Sequence, residues 1–278
     1  MRPALDRREF LAATATLCVG AVIPSARAIA QPVQGTSVDV LIMSYYKDPR
    51  PERLTGFFAE FQKLPNAGNW IAYPPLAGFF AVVFRADPNQ GRKLFVAPMS
   101  SSSAEAFAAA LQLSGNPSNK AMADRIRASL TQNGMHDQKL AAELANLPDR
   151  LEDLKVASAT HLDILWGAAF ASGDAKFVNM IMDFYAQTAN RSETVALDIA
   201  RTAVAITGGP KDVLSELRGK YGDDGARQIG LAATALWAIK SNARQHPFVN
   251  AALGKYIDEH PGTPAQRALA AVRPKAQP

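Results

Sequence analysis

Four histidines, His136, His161, His246 and His260, come first in a search for chemistry, because imidazole moves protons near neutral pH and ligates zinc. None lies within four residues of another, so the zinc-protease pattern of two His on one helical face with a Glu between them is absent. His161 falls near an expected helix start and His246, before Pro247, near an expected helix end, which reads as capping or surface placement. The chain has no Gly-x-Ser-x-Gly elbow for an esterase nucleophile. Gly208-Gly209-Pro210-Lys211 and the stretch Gly219 to Gly225 lack phosphate-loop spacing and follow no expected strand, so both read as turns between helices. A glycosidase needs only two carboxylates across a cleft, and Glu143, Asp149, Glu152 and Asp153 qualify by type. They share their stretch with Arg150 and Lys155, which reads as a solvated helix face, and Asp223-Asp224 suits an N-cap and first helical turn. No catalytic, cofactor-binding or metal-ligating set is expected.

Aromatic residues are the more suggestive group. Phe57, Phe58, Phe61, Trp70, Tyr73, Phe79, Phe80, Phe84 and Phe95 crowd the first third, and those at helical spacing read as core. Trp70 and Tyr73 fall in an expected loop, where a large aromatic is either a lid on the core or a binding residue. The lid is the favoured reading, and these two are the candidate binding residues.

The elements that must position these side chains are almost all helical. Apolar residues recur three and four apart from Pro51 onward, with breaks at Gly, Pro and Asn. Helices are expected at about 51–64, 75–86, 102–114, 118–131, 137–146, 149–157, 160–172, 174–188, 191–207, 210–220, 223–244 and 247–259. Asp174 is an expected N-cap, and Gly208-Gly209-Pro210 stops one helix and opens another. Connections this short pack consecutive helices as antiparallel hairpins. Strand-like alternation is confined to Val38–Ile42, where a first helix is equally compatible. The expected fold is all-α, with stacked antiparallel hairpins forming an irregular α-solenoid or a compact multi-helix bundle. It occupies 51–261, after an extension over 31–50 and before a flexible tail over 262–278.

Six positions suggest an internal repeat near 160–188 and 231–259. Leu165-Trp166, Phe177-Val178-Asn179 and Tyr185 each have a counterpart 71 residues on, in Leu236-Trp237, Phe248-Val249-Asn250 and Tyr256. That offset suits two hairpins of about 34 residues each, and makes Trp166 and Trp237 equivalent core anchors of a duplicated unit. The pattern differs from tetratricopeptide repeats, which place Leu and Gly three and four residues after the Trp where this chain has Ala169-Phe170 and Lys240-Ser241. The segments Leu165 to Asp174 and Leu236 to Val249 resemble exported or envelope helical proteins of bacteria that carry no assigned activity; the resemblance implies helical architecture and brings no site residues.

Asp6-Arg7-Arg8-Glu9-Phe10-Leu11 and the small, apolar run Ala12 to Ile23 have the order of a removable export signal. Arg7, Arg8, Phe10 and Leu11 resemble the twin-arginine signal, with Asp6 in place of its Ser or Thr and Ala12 in place of its Lys. The resemblance implies export of a folded chain through the twin-arginine machinery, cleavage by signal peptidase after Ala28 or Ala30, and a periplasmic location. The apolar run is well short of the roughly 20 residues of a membrane span, so no permanent anchor is expected. Cys18, the only cysteine, lies inside this signal without the neighbours of a lipidation site. Removing residues 1–30 leaves 26 basic and 23 acidic residues with no basic run, so nucleic acid is not an expected partner. The expected function is binding or scaffolding of a protein or peptide on a helical surface; the alternative is a periplasmic enzyme or small-ligand binder whose site is scattered along the chain.

Overall fold

The computed structural model describes residues 37–95, 99–135, 137–206 and 213–274. Arg7, Arg8, Phe10, Leu11, Cys18, Ala28, Ala30 and His136 lie outside the described residues. The fold is all-α: among the described residues there are thirteen α-helices, no β-strand and one isolated bridge, between Ser114 and Arg150. No described helix is long and apolar enough to cross a membrane. The stretch read as one domain divides into two compact units, one ending at Lys155 but including Asp163–Gly173, the other formed by Val156–Leu162 and Asp174 onward.

The first unit contains α1 (Ser37–Ser44), α2 (Phe57–Phe61), α3 (Pro74–Ala86), α4 (Gln90–Leu94), α5 (Ser101–Leu113), α6 (Pro117–Gln132), α7 (Gln138–Leu144) and, from Asp163 on, α8 (Ala159–Ser172). Short polar side chains start several of these helices. Ser100 Oγ accepts from the Ser103 amide at 3.2 Å, Asn116 Oδ1 from Ser118 at 2.9 Å with Pro117 next in the chain, and Asp137 Oδ1 from Leu140 at 3.1 Å. The alanine-rich α5 is buried from Ser103 to Leu113 and packs on α3, α6 and α7. Apart from half-buried Trp70 and exposed Phe95, the crowded aromatics form the core, with ring centroids 4.9 Å apart for Phe58–Phe80, 5.0 Å for Phe84–Phe107 and 5.1 Å for Tyr45–Phe79. Glycine permits the closest helix crossing. A Cβ on Gly78 would overlap the Ile164 carbonyl, and one on Gly167 the Pro75 carbonyl, so α3 and α8 approach backbone to backbone.

The second unit contains α9 (Ala175–Ala189), α10 (Glu193–Ile206), α11 (Val213–Gln245), α12 (Pro247–Glu259) and α13 (Pro264–Val272). Each helix packs on the next, α9 also packs on α11 and α12, and α13 also meets α9 and α10. The break expected between 220 and 223 is a kink inside α11, where Gly222 has φ 70° and ψ 178°, a region essentially restricted to glycine.

Four expectations need correction. The extension over 31–50 contains α1, whose Val38 and Ile42 are buried with Tyr45; of the two readings of Val38–Ile42 the helix forms, and the segment joins the first core instead of lying outside it. The helix expected over 51–64 is interrupted at Gly56, whose φ of 75° separates a 3₁₀ turn from α2. Only a 3₁₀ turn, Leu151–Asp153, forms within 149–157; Arg150 is extended in its bridge to Ser114 while Leu151 and Leu154 fill the core. The flexible tail over 262–278 instead contains α13. Thr263 Oγ1 caps Gln266 at 3.1 Å, Pro264 occupies the first turn, Ala265 and Leu269 bury one face, and the Ala265 amide donates to Asn190 Oδ1 at 2.9 Å.

Candidate functional site

A helix that buries one apolar face normally shows water a polar one. α10 breaks that rule. It buries Val195, Ile199, Thr202 and Ala203, yet Leu197 and Val204 on its other side are each 64% exposed. Leu197, Ala200 and Val204 are spaced three and four apart, so they line up along one outward face. Asp198 fixes this helix to α11, accepting from Lys220 Nζ at 2.7 Å and Tyr221 Oη at 2.8 Å. Burial pushes the Asp198 carboxyl up, but the bonds from Lys220 and Tyr221 and the charges of Lys220 and Arg201 outweigh it and hold the group below the usual carboxylate range.

Beside that face lies an open groove of about 520 Å³ between α10, α11 and the end of α13. Ala203 and Val204 form one wall, buried Leu236 and half-buried Trp237 the other, and Val272 contributes from α13. Lys240 and Arg244 stand one helical turn apart on the same side of α11 and also line the groove. Neither has a carboxylate or hydrogen-bond partner among the described residues, and none of the groove's lining residues is acidic. Ser241 and Gln245 at its edge bond to each other, at 3.3 Å from Gln245 Nε2 to Ser241 Oγ. The arrangement can desolvate an apolar ligand surface and pair with negative charge beside it.

The first unit carries a separate open cavity of about 620 Å³, walled by Leu54, Phe57, Phe58 and Leu94 with Glu52 and Lys93 among its polar lining. A much smaller one, about 20 Å³, lies against α1 and α8 where Ile42, Pro75, Asp163, Trp166 and Phe170 meet. Asp163 is 7% exposed, and burial raises its carboxyl well above the usual range; the Trp166 Nε1 proton is buried without an acceptor.

The sequence candidates fall elsewhere. Tyr73 is core, 1% exposed, and its hydroxyl donates to the Ala67 carbonyl at 2.7 Å. Trp70 is half-buried, with Lys139 Nζ 4.9 Å from a ring centroid, and neither residue lines the open groove. Trp166 is 2% exposed whereas Trp237 is half-buried and faces the groove, so the two are not equivalent core anchors. Ion pairs account for Glu152 with Arg85, Asp149 with Lys120 and Asp224 with Arg227. His161 Nδ1 accepts from the Ala157 amide at 3.1 Å, His260 stacks on Tyr256 with centroids 4.1 Å apart, and His246, expected as a capping or surface residue, occupies the N-cap position of α12 but is buried. The described residues hold no group of three or more His, Cys, Asp or Glu arranged for a metal.

Sequence reading missed Leu197 and Val204, although the signal was present: α10 has apolar residues on both sides, which a helix with a single buried face does not need. Comparison of the chain with protein-family models, curated proteins and solved structures yields no match.

Proposed function

We propose that this chain is an exported periplasmic binding protein that holds a protein or peptide segment in the groove of its second unit. The observation carrying the reading is the exposed apolar face of α10 beside a groove lined by Trp237, Lys240 and Arg244. Isolated exposed apolar residues are ordinary, but two large ones aligned on one helix next to a half-buried Trp form a patch that water solvates poorly. Arg7 and Arg8 support delivery by the twin-arginine route. Both parts are tested in one strain by placing a photo-crosslinking amino acid at Val204, or at the exposed Val40 of the first unit as control. Discrete protein adducts in the periplasmic fraction should form from Val204 and not from Val40. Arg7→Lys with Arg8→Lys should abolish them by retaining the precursor in the cytoplasm. Equal labelling from both positions removes the groove from the reading, and periplasmic accumulation of the double Lys variant removes the route.

The 620 Å³ cavity supports a second reading, a small-ligand site in the first unit, since its volume lies within the range typical of such sites. Native mass spectrometry of the purified chain separates the two. A retained small molecule lost on Phe58→Ala favours the cavity, whereas an unliganded chain leaves the groove.

A further inference from the structure

We infer that the occupant of the second unit's groove is an acidic amphipathic α-helix of a partner protein. The inference rests on the groove being a binding site and names what it takes. Three features select a helix over an extended segment. An extended peptide needs partners for its own amides and carbonyls, which binding proteins supply from an open sheet edge, and the described residues contain no strand. A helix satisfies its backbone internally and presents only side chains. The receiving surface is itself helical: Leu197, Ala200 and Val204 form a ridge three and four residues apart, the geometry that meets apolar side chains repeating at the same intervals on a third helix.

Charge selects an acidic helix. Lys240 and Arg244 are four residues apart on α11, so their charges stand one turn apart, matching carboxylates placed four apart on the partner. Neither cation has an internal partner among the described residues, and no acid lines the groove, so a partner carboxylate displaces no existing ion pair. Trp237, half-buried beside Lys240 and Arg244, supplies the large flat anchor that dominates many protein interfaces.

The test uses the mature chain from Gln31 and three synthetic helical peptides with Leu at positions i, i+3 and i+7. Their flanking positions carry Glu, Gln or Lys at i, i+4 spacing, and vesicles of phosphatidylglycerol serve as a fourth probe. Isothermal titration should rank Glu above Gln above Lys, with at least a tenfold gap between Glu and Lys that narrows as salt is raised. Lys240→Glu with Arg244→Glu should invert that ranking, and its unchanged circular dichroism and melting temperature would show the fold intact. If Glu and Gln peptides bind equally and both are lost on Val204→Asp, the groove stands as a peptide site and the acidic helix is overturned. If no peptide binds, both fall. Vesicle binding without peptide binding makes the surface a lipid site and overturns the inference.

Discussion

Replacing Gly167 by Ala should unfold the first unit more easily, although in most helix interiors the same change is stabilising by about 0.8–1.0 kcal/mol. The reason is what a Cβ meets. At Gly167 it would overlap the carbonyl of Pro75 and crowd the amide of Phe79; these are backbone atoms of α3, which cannot rotate away as a side-chain tip can. α3 and α8 must therefore separate, and the atoms that lose contact are buried ones, Trp166 and Phe79 among them. Overpacking of this kind costs roughly 1–3 kcal/mol where side chains can adjust, and rigid backbone neighbours place it at or above the upper end. After the propensity gain, the expected net loss is about 2 kcal/mol, a fall of about 6–10 °C in melting temperature for a unit of this size. Urea unfolding followed by tryptophan emission reads it, since Trp70 and Trp166 both belong to the first unit. Gly219→Ala is the matched control: it lies inside α11 with nothing within 4 Å of the added carbon, and should raise stability by up to about 1 kcal/mol. Gly78→Ala, facing Ile164 across the same crossing, should behave like Gly167→Ala, and the double variant should cost less than the sum because the helices have already parted. A Gly167→Ala chain with an unchanged or higher urea midpoint would refute the backbone contact.

The two tryptophans should separate stability from binding. Trp166→Ala should cost about 3–5 kcal/mol as a buried large-to-small change, whereas Trp237→Ala should leave the melt nearly unaltered and weaken the Glu peptide at least tenfold; a Trp237→Ala chain that binds as the parent does would remove it from the site. Asp163 should make the first unit less stable as pH rises: its folded carboxyl titrates above the unfolded value of about 3.9, so stability is full below that value and is lost as pH climbs through the folded one. The urea midpoint should be lower at pH 8 than at pH 4, and the difference should shrink on Asp163→Asn; a difference unchanged in that variant would assign the effect to another group.

Helices were legible wherever periodicity agreed with a local start signal, a capping Ser, Asn or Asp for α5, α6 and α9 and a first-turn proline for α3 and α12, because such signals act over one or two turns. The failures share a cause that local reading lacks. Over 149–157 the apolar spacing was helical, but the Ser114–Arg150 bridge and the Arg85–Glu152 pair, 36 and 67 residues apart in the chain, hold Arg150 extended and limit the segment to one 3₁₀ turn. In the last stretch the prolines suggested fraying, while Thr263-Pro264 was a cap and first turn whose stability depends on Asn190, Ala265 and Leu269. The repeat matched types at fixed spacing but could not report neighbours, so Trp166 and Trp237 shared a pattern and acquired different environments.

The groove was less legible still, for a reason that also bears on its use. Its walls come from α10, α11 and α13, whose lining residues run from Ala200 to Val272, so no short motif contains it. What one helix does reveal is excess: Val195, Ile199, Thr202 and Ala203 already bury one face of α10, and Leu197 with Val204 add exposed apolar area on another. Lys240 and Arg244 show a parallel excess, two neighbouring cations with no internal partner among the described residues. A water-exposed apolar face costs solubility, and adjacent like charges repel modestly. An acidic helix laid in the groove relieves both at once, which is why the two features are better explained together than as separate accidents of the surface.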